Sequence, residues 1–176
     1  MLENVCNFTD VRPIMLPLPY PSCQVEEENQ AYANILSNDY CGAVSELSAI
    51  TQYLNMENRL SREQCPIAKT ILGIAMAEMI HLQKIGEMIC LLGGDINYVA
   101  KQKDGRKREW TPQYLVFSDQ PREMLSLGIQ AEEDAIRQYK MHQNMIQDRY
   151  IQVMLARIIK DEEYHIMLLQ AMLNDL

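Results

Sequence analysis

Two copies of a Glu-x-x-His pattern, Glu78 with His81 and Glu162 with His165, use two of the three histidines in this 176-residue chain. On a helix, residues three apart project from one face, so each copy aims a carboxylate and an imidazole at a common point. Two such points can hold two metal ions. A repeat lies upstream of each copy: Glu-x-x-Ala-Ile-x-Gln-Tyr runs from Glu46 to Tyr53 and again from Glu132 to Tyr139. Glu46 precedes Glu78 by 32 residues, and Glu132 precedes Glu162 by 30.

Glutamates so spaced face each other if each interval is two antiparallel helices with the turn at its midpoint. The first midpoint falls near Arg62, within residues 58–66, where Pro66 is tolerated only near a helix start. The second falls at Gln147, beside Asp148, a residue type that caps helices. Apolar periodicity supports four helices. The second carries Ile67, Ile71, Ile74, Glu78, His81, Ile85 and Met88 on one stripe, and the fourth Ile151, Leu155, Ile158, Glu162, His165, Leu169 and Met172. The first stripe reads Gly42, Glu46, Ala49, Tyr53, and the third Leu125, Ile129, Glu132, Ala135, Tyr139.

The acids therefore sit inside apolar stripes. A single glutamate there is more often a boundary residue that reaches solvent, and a single histidine a hydrogen-bonded core residue. Six such groups at one height are different, because uncompensated buried charge is costly. Four glutamates carry a charge of −4 that two divalent cations with neutral histidines return to zero. Oxygen ligands with one imidazole per ion suit iron or manganese. Tyr53 and Tyr139 follow Glu46 and Glu132 by seven residues, which fits either ordinary core packing or a bond to a ligand carboxylate across the bundle.

One glutamate on each of two helices plus Glu-x-x-His on each of the other two is the di-metal carboxylate pattern of ferritin-like bundles. Over residues 36–173 the chain resembles the rubrerythrin branch and, in its Glu-to-Tyr spacing, the manganese catalases. The resemblance implies an all-α, ferritin-like antiparallel four-helix bundle (36–176) with a long crossover between helices 2 and 3. It implies Glu46, Glu78, His81, Glu132, Glu162 and His165 as ligands of two iron or two manganese ions, with Glu78 and Glu162 bridging. The activity it implies is a di-metal oxidoreductase reducing peroxide or oxygen, di-iron ahead of di-manganese. Manganese-catalase-like disproportionation, ferroxidase or iron handling, and a non-catalytic metal-stabilised assembly role are the alternatives. Rubrerythrins usually carry a further glutamate one turn beyond the third-helix ligand, where this chain has Ala135. It also has no pair of Cys-x-x-Cys motifs, so a rubredoxin-type electron donor would be a separate protein. The short fifth helix of cage-forming ferritins is missing as well, and a homo-oligomer, a dimer, is expected.

Composition bounds the rest. With 48% hydrophobic residues the chain suits one domain with a sizeable core. A net charge of −8 argues against sequence-independent nucleic-acid binding. No run of eighteen apolar residues and no basic-then-apolar leader appears, so no membrane span is expected and the location expected is cytoplasmic. The five cysteines, at 6, 23, 41, 65 and 90, are odd in number and lack metal-ligand spacing, which predicts reduced thiols. A helix stop at Gly93–Gly94 and a start at Asp119–Pro121 leave a crossover over residues 95–118. Its basic run, Lys101 to Arg108, reads as a solvated loop, and Trp110, Pro112 and Tyr114 should pack the crossover onto the bundle. Residues 1–35 read as an N-terminal arm: the prolines between Arg12 and Pro21 forbid a helix interior, leaving an extended strap on the bundle or on a neighbouring subunit, or a proline-motif ligand. A short helix is expected over Glu26 to Leu36.

Overall fold

The computed structural model describes residues 6–101 and 105–176. Local capping chemistry sets where the helices begin. Asn29 Oδ1 accepts from the Tyr32 amide at 3.1 Å and opens α1 (Gln30–Cys41). The Ser45 hydroxyl accepts from the Ser48 amide at 3.2 Å and opens α2 (Glu46–Leu60). Pro66 sits in the first turn of α3 (Cys65–Leu91), and Pro121 is the first residue of α4 (Pro121–Met145). Asp148 Oδ1 accepts from the Tyr150 and Ile151 amides at 2.9 and 3.2 Å and opens α5 (Arg149–Asp175). Both hairpin turns thus fall at the midpoints that the glutamate spacing requires. Gly93, at φ +78°, takes the left-handed conformation just past the end of α3.

Helices α2 to α5 form the ferritin-like four-helix bundle, α2 packing with α3 and α4 with α5. The short helix expected over residues 26–36 lies instead at Gln30–Cys41, because Asn29 rather than the acidic run supplies the cap. Gly42, placed by periodicity on the α2 stripe, is the residue that ends α1. A Cβ there would come 2.6 Å from the Asn38 carbonyl oxygen, so only glycine allows this close exit.

The crossover is more ordered than a loop. It holds an antiparallel ribbon, β1 (Val99–Lys101) with β2 (Lys107–Glu109), paired Val99 to Glu109, and then one 3-10 turn at Pro112–Tyr114. Of the basic run, Gln102, Lys103 and Asp104 lie outside the described residues, and Lys107 and Arg108 are exposed ribbon positions rather than loop. The Trp110 indole donates to Ser48 Oγ at 3.0 Å and packs this segment onto the bundle.

Two apolar clusters fill the interior. One gathers Leu36, Ile85, Met88, Ile146, Leu155 and Ile158, and the other Met56, Leu60, Ile71, Ile74, Leu125 and Leu169. Along α3, α4 and α5 the clusters flank a polar level at Glu78, Glu132 and Glu162. By length and mean hydropathy (1.3) α3 would also pass as a membrane span, but a core helix passes the same test, and its Ile71, Ile74, Ile85 and Met88 are fully covered by the bundle.

The expectation of five reduced thiols is corrected. Cys6 and Cys65, 59 residues apart, form a disulfide with Cα atoms 5.5 Å apart, while Cys23, Cys41 and Cys90 are free. An odd count hides one bridge, and only the path of the N-terminal strap brings these two sulfurs together.

Candidate metal centre

Each of the six carboxylate and imidazole residues singled out by spacing lies at the same level of the bundle, and each is at most 2% exposed. Glu46 is the first residue of α2, Glu78 and His81 lie in mid-α3, Glu132 in mid-α4, and Glu162 and His165 in mid-α5. They gather into two quartets, Glu46–Glu78–His81–Glu162 and Glu78–Glu132–Glu162–His165, with one ligand atom from each residue within 4.8 Å of the others. Glu78 and Glu162 belong to both.

The shared pair divides its oxygens evenly. His81 Nδ1 lies 2.7 Å from Glu78 Oε2 and 3.2 Å from Glu162 Oε1. His165 Nδ1 lies 3.0 Å from both Glu78 Oε1 and Glu162 Oε2. The outer acids complete each half: Glu46 Oε2 is 3.7 Å from His81 Nδ1, and Glu132 Oε1 is 3.5 Å from His165 Nδ1. Yet Glu78 Oε1, Glu162 Oε2 and His165 Nδ1, all buried, make no aligned hydrogen bond. Buried acceptors are seldom left so. Their convergence on one region fits coordination of a cation, and the donor set of oxygens with one imidazole per quartet suits iron or manganese.

Electrostatics point the same way. Burial and the charge of Glu78 hold the Glu46 carboxyl well above its usual range, with His81 only partly offsetting them. Burial, with Glu78 and Glu162, pushes Glu132 up to about 8. Burial also opposes charge on Glu78, but His165 and His81 outweigh it and keep that carboxyl below its ordinary range. Both imidazoles are raised, because the surrounding carboxylates overcome the burial that disfavours their charge. Without metal, protons on Glu46, Glu132, His81 and His165 offset charge that divalent ions would otherwise neutralise.

The two tyrosines cross the bundle reciprocally. Tyr53 of α2 donates to Glu132 Oε1 of α4, and Tyr139 of α4 donates to Glu46 Oε1 of α2. Burial first, and then the neighbouring carboxylates, hold both phenols well above their ordinary range, so they remain donors. Each phenol thus bonds a carboxylate across the bundle as well as packing in the core. The glutamines of the repeat play matching parts. Gln52 clasps the crossover through both Val116 main-chain groups, at 2.7 and 2.9 Å. Gln138 donates to Asp39 Oδ1 and to the Val44 carbonyl, each at 2.8 Å.

Several groups around the site escaped the sequence reading. Asp161, fully buried, accepts from the Leu16 amide at 2.8 Å and the Tyr20 hydroxyl at 2.5 Å, pairs with Arg157 at 2.6 Å, and faces His81 Nε2 at 3.3 Å. Burial opposes its charge, but these hydrogen bonds keep its carboxyl below the ordinary range. Its spacing of four from Arg157 was a legible helical ion pair; its reach to His81 was not. His165 Nε2 lies 2.7 Å from the Ile14 carbonyl of the strap, a partner with no side-chain signature. The third histidine, His142, stands apart, bonded at 2.8 Å to Asp39 of α1.

A cavity of about 320 Å³ reaches the four glutamates from between α2 and α4. Ala49 and Ala135, the alanines of the repeat, line it together with Ala131, Leu115 and Val116. Asp134 also lines it, but its carboxylate is engaged by Arg137.

Known proteins share this fold. The sequence is similar to a probable manganese catalase of Clostridium acetobutylicum, 27% identical over 169 residues that make up 86% of this chain and 74% of that protein. The fold is similar to that of KatB, a manganese catalase from Anabaena PCC7120, with a TM-score of 0.81 at 22% identity over 92% of this chain and 80% of the other. It is also similar to a bacterioferritin of Rhodobacter capsulatus, with a TM-score of 0.70 at 24% identity over 84% and 86% of the two chains. Residues 42–173 match the rubrerythrin family profile, and with its paired Glu-x-x-His helices the chain belongs to the rubrerythrin family.

Proposed function

We propose that Glu46, Glu78, His81, Glu132, Glu162 and His165 hold two manganese ions and that the centre disproportionates hydrogen peroxide to water and oxygen. The observation that carries this reading is the pair of alanines, Ala49 and Ala135, at equivalent places on the cavity wall. No carboxylate stands at Ala49 or Ala135, where a partner-changing glutamate would be, so each half-site offers the same kinds of ligand: one outer glutamate, one histidine and the shared pair. Matching direct ligands at the two ions, with no spare carboxylate to exchange, suit a cycle in which one peroxide is reduced and the next oxidised, with no outside reductant. The likeness to manganese catalases supports the same metal.

When bound, a redox-active pair would supply the two-electron exchange that peroxide cleavage requires. The chain supplies the rest. Tyr53 and Tyr139 fix the outer carboxylates, Asp161 and Ile14 fix the imidazoles, and the small cavity between α2 and α4 admits peroxide while its apolar walls limit water.

A second reading, a di-iron centre reducing peroxide or oxygen, is favoured by membership of the rubrerythrin family. It requires an electron source outside these 176 residues, which hold no pair of Cys-x-x-Cys motifs. Loading chelated protein separately with Mn(II) and Fe(II) and following peroxide loss with and without a reductant distinguishes the two. Reductant-independent turnover by the manganese form is expected. Turnover by the iron form alone, and only with reductant, replaces the first reading with the second.

A further inference from the structure

The geometry points to the N-terminal strap as a built part of the metal centre: its Ile14 carbonyl positions His165 and makes the two half-sites unequal. This rests on the six-residue di-metal reading. The Glu-x-x-His copies differ at the residue before the glutamate, Asp161 in the second and Ala77 in the first. Asp161 faces Nε2 of His81, the imidazole of the opposite copy, at 3.3 Å. Ala77 can offer His165 nothing equivalent, and the Ile14 carbonyl takes that place at 2.7 Å from His165 Nε2. A carbonyl only accepts, so His165 holds a proton on Nε2, and Nδ1, which faces the carboxylates, is the nitrogen left to give up its proton and bind an ion.

The strap is held there by more than this bond. The Ile14 amide donates to the Gly73 carbonyl at 2.9 Å. A Cβ on Gly73 would lie 2.7 Å from Ile14 Cδ1 and 2.9 Å from the Arg12 carbonyl oxygen, so α3 carries glycine where the strap crosses it. Arg157 donates to the Leu16 and Leu18 carbonyls at 2.9 and 3.0 Å, and the Cys6–Cys65 disulfide ties the strap to the start of α3. An anionic partner makes an imidazole a stronger donor than a neutral carbonyl does, and such outer partners are worth about 10–100-fold in metal affinity. The ion at His81 is thus the tighter, and the ion at His165 depends on the strap.

The test uses full-length Gly73→Ala, Asp161→Asn and wild-type protein, each stripped by chelation and titrated with Mn(II) while free Mn(II) is read by electron paramagnetic resonance. Wild type should take up two ions per chain. Gly73→Ala should keep one and bind the other about 10–100-fold more weakly, whereas Asp161→Asn, whose remaining carbonyl oxygen can still accept from the Leu16 amide of the strap, should weaken chiefly the opposite ion. Combination with His165→Ala or His81→Ala assigns which ion is lost. Because alanine favours helix over glycine, α3 itself should survive the substitution. As a readout independent of that variant, nitrogen-15 spectra of Zn(II)-loaded wild type should show a protected Nε2 proton on His165. Equal weakening of both ions in Gly73→Ala, unchanged binding of both, or an unprotonated Nε2 overturns the inference while leaving the di-metal reading intact. Wild type that binds no ion overturns both.

Discussion

Glu78 divides its two carboxylate oxygens between the imidazoles of the centre: Oε2 lies 2.7 Å from His81 Nδ1 and Oε1 lies 3.0 Å from His165 Nδ1. A carboxylate so placed could serve two ions at once, and Glu162 repeats the arrangement from the opposite hairpin.

From that relationship, replacing Glu78 should act differently from replacing either histidine. Glu78→Gln should remove both ions, while His81→Ala and His165→Ala should each leave about one per chain. Elemental analysis after gel filtration gives the counts. Full occupancy in the His165 variant would make the second Glu-x-x-His a packing feature only.

The pH dependence of the stripped protein has a definite sign. Glu132 is raised from its ordinary 4.5 to about 8, and Glu46, His81 and His165 are raised as well. The folded chain therefore binds more protons than the unfolded chain between these limits, and its stability falls as pH rises through them. Glu78, lowered, acts oppositely, and only when pH falls below the unfolded carboxylate range. Metal displaces these protons. The gain in melting temperature on saturating Mn(II) should widen from about pH 5.5 to about pH 8. A gain that shrinks over that range contradicts the protonation pattern.

Tyr139→Phe removes the donor to Glu46, and Tyr53→Phe the donor to Glu132. Each should weaken a different ion by about 10–100-fold and destabilise the stripped protein by about 1–3 kcal/mol. Metal titration with denaturant unfolding measures both effects.

Thiol counting tests the bridge. Unfolded without reductant, the protein should expose three thiols, and five after reduction. In the chain-entropy account a bridge across 59 residues restrains the unfolded chain by about 4 kcal/mol. Cys6→Ser should lower stability by up to that amount.

What could be read from the residues is what helical spacing encodes. Glu78 with His81, Glu162 with His165, and the turns at residues 61–64 and 146–148 follow from periodicity, caps and prolines, and they fixed the bundle and its six polar residues. The groups that could not be read are joined across long stretches of chain. The Ile14 carbonyl is 151 residues from His165, and every residue type carries a carbonyl, so nothing marks it. Asp161 is 80 residues from the imidazole it faces. The Cys6–Cys65 bridge depends on the course of the strap. The start of α1 was misplaced because a run of glutamates suggests a helix more strongly than one asparagine does, although the asparagine side chain satisfies the first amides.

Oxygen yield tests the central claim most directly. Manganese-loaded protein, given hydrogen peroxide and no reductant, should release one oxygen molecule for every two peroxides consumed, and release should cease on chelation and in Glu78→Gln. Peroxide consumption without oxygen release, or a rate no greater than that of free Mn(II), would contradict it.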